Sequence, residues 1–210
     1  NVKKVIVLST DKAAAPINLY GATKLTSDKL FVAANNYKGK NKIKLSVVRY
    51  GNVMGSRGSV IPFFKNKKSE GIIPITDDRM TRFSITLEQG VDFVLFCLKS
   101  MWGGELYIPK IPSYRILDVA KAIAPRAKFK MIGIRPGEKL HEEMITETDS
   151  LHCIEFNNYY VILPSMPLWD ENKFIKESCR EIGKKCAFGF SYNSGTNTNF
   201  LSVEELKKML

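Results

Sequence analysis

No stretch of this 210-residue chain approaches the ~20 apolar residues needed to cross a bilayer. No secretory signal pattern opens it, so neither a membrane nor an exported setting is expected. Histidine is almost missing, with only His141 and His152. Cys97, Cys153, Cys179 and Cys186 show no short paired spacing, so no four-ligand zinc set can be assembled and no metal is expected. Unpaired cysteine usage suits a reduced, cytoplasmic protein. The chain also lacks any Gly-x-Gly-x-x-Gly; Gly51, Gly55 and Gly58 are spaced differently and follow a different strand. Acidic residues are too few to balance 32 Lys and Arg, leaving a net charge of +11. The lysines are scattered through Lys38–Lys42 and Lys65–Lys68 without interleaved aromatics, so they encode no base-stacking surface and no nucleic acid is expected as a partner. Such a field favours an anionic small-molecule substrate.

What is present is organised around residues 5–24. Val5 to Leu8 is an apolar, β-branched run that reads as a parallel strand buried on both faces. Ser9, Thr10, Asp11 and Lys12 stand where that strand ends, which is where open α/β sheets bind ligands. Pro16 and Asn18 then open a helix that carries Tyr20 and Lys24 four positions apart on one face. A lysine ammonium beside a phenol favours the phenolate, so the tyrosine could take a proton from a substrate hydroxyl. Alone, Tyr-x-x-x-Lys reads as a surface tyrosine beside a solvated lysine.

In context, Ser9-Thr10-Asp11-Lys12 followed by Tyr20-Gly21-Ala22-Thr23-Lys24 resembles the catalytic segment of extended short-chain dehydrogenase/reductases acting on nucleotide sugars. Lysine in the third place of Thr-Asp-Lys is similar to the inverting UDP-N-acetylglucosamine 4,6-dehydratases of pseudaminic-acid and capsule pathways. Retaining dehydratases carry glutamate there, and 4-epimerases lack the acidic pair. The resemblance continues through Arg49-Tyr50-Gly51-Asn52-Val53-Met54-Gly55-Ser56-Arg57-Gly58-Ser59, Arg79-Met80-Thr81-Arg82-Phe83 and Arg135-Pro136-Gly137-Glu138-Lys139. It implies a Rossmann-type α/β fold with a partial parallel sheet and a smaller C-terminal lobe. Residues 1–55 and 85–102 would form the nucleotide-binding sheet and helices, and 56–84 and 103–210 the substrate lobe.

The resemblance also implies residue roles. Thr10, Asp11, Lys12, Tyr20 and Lys24 would be catalytic, with Tyr20, Lys24 and Ser9 also holding NADP. Arg49, Asn52, Arg82, Arg135 and Glu138 would bind the UDP-sugar. Tyr20 would deprotonate the sugar 4-hydroxyl, Lys12 would remove the C5 proton, and Asp11 would protonate the departing 6-hydroxyl, giving a 4-keto-6-deoxy sugar inverted at C5. Both Asp11 and Lys12 can reach one sugar only if the chain has left regular β structure by Thr10 or Asp11. The alternative is that the two merely neutralise each other. A homo-oligomer is expected. The family carries about a hundred further residues upstream, including its glycine-rich turn. The chain therefore reads as the C-terminal part of such an enzyme, inactive alone, with its first strand left at a sheet edge. A 4-epimerase, a retaining dehydratase and a non-catalytic fragment that binds nucleotide sugar are the competing readings.

The remaining pattern supplies a scaffold. A helix is expected from about Asn18 to Tyr37, with Leu25, Leu30, Phe31 and Ala34 as its buried stripe. A strand follows from Ile43 to Tyr50, then a short helix over 60–68 and an extended Ile72–Ile75. Thr86 to Met101 reads as a capped helix buried through Leu87, Val91, Val94, Leu95 and Leu98. After a strand at Leu106–Ile108, Ser113 is expected to cap a helix through Ile123. Phe129–Ile134 reads as a strand and Arg135–Met144 as a helix whose entrance suits a diphosphate. Tyr159–Leu163 reads as a strand, and Ser202 with Glu205 as the capping box of a final helix.

Overall fold

A computed structural model describes residues 1–56, 58–178 and 181–210; Arg57 of the glycine-rich turn, Cys179 and Arg180 lie outside the described residues. In chain order the elements are β1 (Lys4–Thr10), α1 (Leu19–Tyr37), β2 (Lys44–Tyr50), β3 (Asn52–Val53), α2 (Val60–Lys67), β4 (Ile72–Ile75) and β5 (Thr81–Ile85). There follow α3 (Leu87–Ser100), β6 (Leu106–Pro109), β7 (Ser113–Arg115), α4 (Ile116–Ile123), β8 (Lys128–Met131) and β9 (Glu143–Ile145). The last are β10 (Cys153–Glu155), β11 (Tyr159–Ile162), α5 (Glu171–Glu177), β12 (Lys184–Lys185), β13 (Tyr192–Asn193) and α6 (Val203–Met209). They fall into two compact units. The first comprises Asn1–Tyr50, Glu88–Lys110 and Glu143–Tyr192; the second comprises Gly51–Leu87, Ile111–Glu142 and Asn193–Leu210.

The first unit is built on a six-stranded sheet in the order β1-β2-β6-β11-β10-β12. β1, β2 and β6 run parallel, because each pair is joined by a crossover that contains a helix. β11 and β10 follow one another through a short turn, so they add antiparallel. β2 is an interior strand, buried from Leu45 to Arg49. Val48, Tyr107, Ile154, Val161 and Phe174 form the core on it, with Phe156 stacked on Tyr159 at 4.7 Å and Trp169 on Phe174 at 4.4 Å. β1 lies at the sheet edge, so Val5–Val7 are half-buried and Leu8 is 47% exposed, where burial on both faces was expected.

Two helices depart from their expected faces. The buried positions of α1 are Gly21, Asp28 and Asn35, while Leu30 is 64% exposed. The helix docks through polar groups: Asn35 donates to the Leu45 carbonyl at 2.8 Å and accepts from the Leu45 amide at 3.1 Å. On α3, Val94 and Leu98 pack on the core, whereas Leu87, Val91 and Leu95 face outward.

The division of the chain also differs from the sequence reading. Residues 103–110 and 143–192 belong with the parallel sheet, not with the smaller lobe. Hydrogen-bond pairing of β6, β11 and β10 decides this, and a short apolar run does not announce which sheet it will join.

The second unit holds the sheet β3-β5-β7 and the pair β4-β8. Its core joins Ile61, Phe64, Ile73, Ile75, Met80, Tyr114, Val119 and Leu206. The Ser202–Glu205 capping box is present in full. Ser113, however, lies in β7 and caps nothing; Arg115 occupies the N-cap of α4 without a side-chain bond. Ser113 is held by strand-like bonds, donating to Asn199 and accepting from Leu201 through its backbone. Residues 135–142 form no helix, because Pro136-Gly137 makes a turn with Gly137 at φ 81°, and β9 takes residues 143–145.

One buried carboxylate organises the entry to β6. Glu105 is fully buried and accepts from Ser46 Oγ, the amides of Trp102 and Gly103, and Tyr107 Oη. Glu105→Ala would strand several donors without an acceptor. We expect a loss of about 3–5 kcal/mol, measured as a lower urea midpoint at unchanged slope.

Candidate active site

The first unit places the Thr-Asp-Lys segment where the chain leaves its strand. β1 ends at Thr10, and Asp11–Ala13 form a single 3-10 turn, with the Thr10 side chain accepting from the Lys12 amide. The departure from β geometry expected by Thr10 or Asp11 is therefore present. Asp11 is fully buried; its Oδ1 accepts from Thr10 Oγ1 at 2.9 Å and from Lys12 Nζ at 3.1 Å. Its Oδ2 is buried without a partner among the described residues. Adjacent side chains that would diverge on a strand converge here. Ala15 completes the turn at φ 44°, a strained conformation for a residue with a Cβ.

Helix α1 is locked against this turn. Asn18 caps it by accepting from the Gly21 amide at 2.8 Å. A Cβ on Gly21 would lie 2.3 Å from the Lys12 carbonyl oxygen, so only glycine permits this approach. Tyr20 is 55% exposed and thus open to a ligand. Lys24 Nζ donates to the Leu8 carbonyl at 2.8 Å, fixing its ammonium at the end of β1. Tyr50 stands opposite Thr10 in register, and burial together with the nearby Tyr20 pushes its phenol above the ordinary value. Sequence reading noted Tyr50 but gave it no role; the parallel pairing of β1 with β2 was the signal that brings it to the turn.

Ser9 and Arg49 take places other than those expected. Ser9 Oγ donates to Asp28 Oδ2 at 2.8 Å, and Arg49 donates to the same oxygen at 3.1 Å and to the Met144 carbonyl at 2.9 Å. All three side chains are buried. Here Ser9 and Arg49 tie α1, β1 and β2 together through buried bonds inside the unit, although Arg49 Nε is buried without a partner among the described residues.

The second unit carries the other candidates. Asn52 pairs in register with Ser84, and both Asn52 Oδ1 and Ser84 Oγ are buried without partners among the described residues. Ser84 was not foreseen. Arg82 is committed internally: it donates to the carbonyls of Thr81 and Leu140 and lies 3.7 Å from Glu142 Oε1. Arg135 is exposed in the turn, where its amide donates to the Glu138 carboxylate at 3.3 Å. Among the described residues no cluster of His, Cys, Asp and Glu could hold a metal.

A family model described as polysaccharide biosynthesis protein matches residues 1–164. The chain belongs to this family. A curated relative from Campylobacter jejuni serotype O:2, named UDP-N-acetylglucosamine 4,6-dehydratase (inverting), is 57% identical over the whole chain. The chain spans 64% of that relative's length. The solved structure of Pen from Bacillus thuringiensis is 36% identical and matches 99% of this chain and 62% of its own, with a TM-score of 0.84. A dTDP-glucose 4,6-dehydratase from Bacillus anthracis, solved with NAD, matches 64% of this chain and 51% of its own at a TM-score of 0.55 and 17% identity, which speaks to the fold alone. The resemblance read from Thr10-Asp11-Lys12 and the Rossmann-type α/β fold are thus both borne out within the polysaccharide biosynthesis family.

Gly21→Ala tests whether α1 must press on the turn. The added methyl meets backbone, not a flexible side chain. A destabilisation of about 1–3 kcal/mol is expected from calorimetry, against a few tenths of a gain at an unobstructed helical glycine.

Proposed function

We propose that this chain supplies the catalytic segment of an inverting UDP-N-acetylglucosamine 4,6-dehydratase that forms a UDP 4-keto-6-deoxy-L-hexosamine for surface or flagellar glycan. The observation that carries the reading is the convergence of Asp11 and Lys12 in one turn, with Asp11 Oδ2 buried and unpartnered. Their 3.1 Å contact lets a proton pass from the lysine ammonium to the carboxylate. In this reading the pair reacts as a neutral amine and a carboxylic acid, with Asp11 fully buried and Lys12 partly open to solvent. The amine is the base for the C5 proton. The acid protonates the departing 6-hydroxyl as water leaves; the C5 proton taken by Lys12 exchanges with solvent, and C5 is later reprotonated on the opposite face. Tyr20 takes the proton of the 4-hydroxyl, with Thr10 orienting Asp11.

The residues present fit a nicotinamide cofactor at the carboxyl end of β1. Tyr20 is open, and an ammonium has three donors, of which Leu8 takes one from Lys24. NADP would supply the reversible oxidation and reduction of the sugar. In this reading Lys24 and Tyr20 hold it in place, while Asn52, Ser84, Arg135 and Glu138 recognise the UDP-sugar. The reading extends to a cytoplasmic setting and a homo-oligomeric assembly; no helix among the described residues is long and apolar enough to cross a membrane.

The test is turnover of UDP-N-acetylglucosamine by the full-length protein in D2O. Wild type should take up solvent deuterium at C5 with inverted configuration, and Lys12→Met should show little uptake. Retained configuration in the wild-type product would reject the inverting assignment. Tyr20→Phe should abolish turnover while UDP-sugar affinity stays within about twofold, because the phenol acts on the reacting proton and not on the nucleotide. Equal loss of affinity and rate would remove Tyr20 from the chemistry.

A further inference from the structure

At the opposite end of the first unit's sheet from the catalytic turn, β10 and β12 pair antiparallel, with Ile154 opposite Lys185 and Glu155 opposite Lys184. Carried one residue further, that register sets Cys153 opposite Cys186, and the Cys186 amide donates to the Cys153 carbonyl at 2.9 Å. The thiols also hydrogen-bond to each other, and both cysteines are free. Directly opposed residues of an antiparallel ladder have Cα atoms about 4.5–5.5 Å apart, within the ~4.4–6.8 Å that a disulfide spans.

The two sulfurs are not equivalent. Cys153 is buried, whereas Cys186 is partly open to solvent. The hydrogen bond from Cys153 holds the Cys186 thiol below its ordinary range, burial and Glu155 oppose this, and Lys110 assists it. Sharing that bond and burial together push the Cys153 thiol far up. Lys110 is itself fixed, 2.7 Å from Glu155 and over the Tyr160 ring at 4.8 Å. An accessible thiol inclined to ionise, in contact with a protonated buried one, is the arrangement of an attacking and a resolving cysteine.

We propose that Cys153 and Cys186 form a thiol–disulfide exchange site that takes a low-molecular-weight disulfide as its oxidant. The Cys186 thiolate attacks one sulfur of the small disulfide, forming a mixed disulfide and expelling one small thiolate. Cys153 then attacks the Cys186 sulfur and gives its proton to the second small thiolate as it leaves. Two protein thiols lose two electrons, and one small disulfide becomes two small thiols. The product bond staples the edge strand β12 to β10 and is reversed by excess small thiol.

The experiment incubates the full chain with oxidised glutathione at pH 8 and reads thiol titration with peptide mass mapping. Two of the four cysteines should become untitratable, a single peptide pair should join Cys153 to Cys186, and dithiothreitol should restore both thiols. Cys153→Ser should stop at a stable mixed disulfide on Cys186. Cys186→Ser should leave Cys153 unmodified, and Cys179→Ser should behave as wild type. Four titratable thiols after prolonged incubation, a mixed disulfide that persists in the wild type, or a peptide joining Cys186 to Cys179 would each overturn the proposal.

Discussion

The buried ion pair between Asp28 and Arg49 is the contact on which the architecture of the first unit depends. One carboxylate oxygen receives both the Arg49 guanidinium and the Ser9 hydroxyl, so α1, β2 and β1 meet at a single atom. The other arm of Arg49 reaches the Met144 carbonyl and brings the start of the 143–192 segment to the same point. A buried pair of this kind is seldom a large net source of stability, because desolvation offsets most of its attraction. Its effect is on position, since any shift of α1 along the sheet would leave a charge stranded at a cost of about 3–5 kcal/mol. Ser9 directly precedes Thr10, so this constraint reaches the Thr10–Ala13 turn through one peptide bond.

From that fixed point the turn follows with little freedom. Lys24 ties the first turns of α1 to Leu8, Gly21 admits contact with the Lys12 carbonyl, and Asn18 fixes where the helix starts. The strand, the turn and the helix are therefore held by three separate interactions, none of which uses the side chains of Asp11, Lys12 or Tyr20. The side chains of Asp11, Lys12 and Tyr20 are left out of this framework, while Lys24 keeps donors beyond the one Leu8 takes.

The sequence made part of this legible. The β-branched run of β1, the helix start near Asn18 and the Ser202–Glu205 capping box are local signals, and each appears in the structure. Thr10-Asp11-Lys12 could be singled out because its residue types are chemically unusual at a strand end. Arg49 and Ser9 could not be sorted from ligand residues, because a buried arginine paired with an aspartate 21 positions away is invisible to any local pattern. The same holds for Arg82, whose partners lie about sixty positions along the chain. Helix α1 was misjudged on Leu30 because its docking face is polar, contrary to the usual amphipathic rule. The helix expected over 135–144 failed where Pro136-Gly137 imposed a turn.

The left-handed backbone of Ala15 carries a consequence for how the turn behaves over time. Its φ of 44° is tolerated because Ala14 is buried on one side and Pro16 restricts the other. A glycine there would lie at ease, but it would also grant the loop many alternative paths. Alanine in a costly conformation instead means that the entropy of shaping this loop is surrendered once, when the polypeptide folds, and not afresh at each encounter with a ligand. The reorganisation energy of the loop is thereby moved out of ligand binding and into the folding reaction.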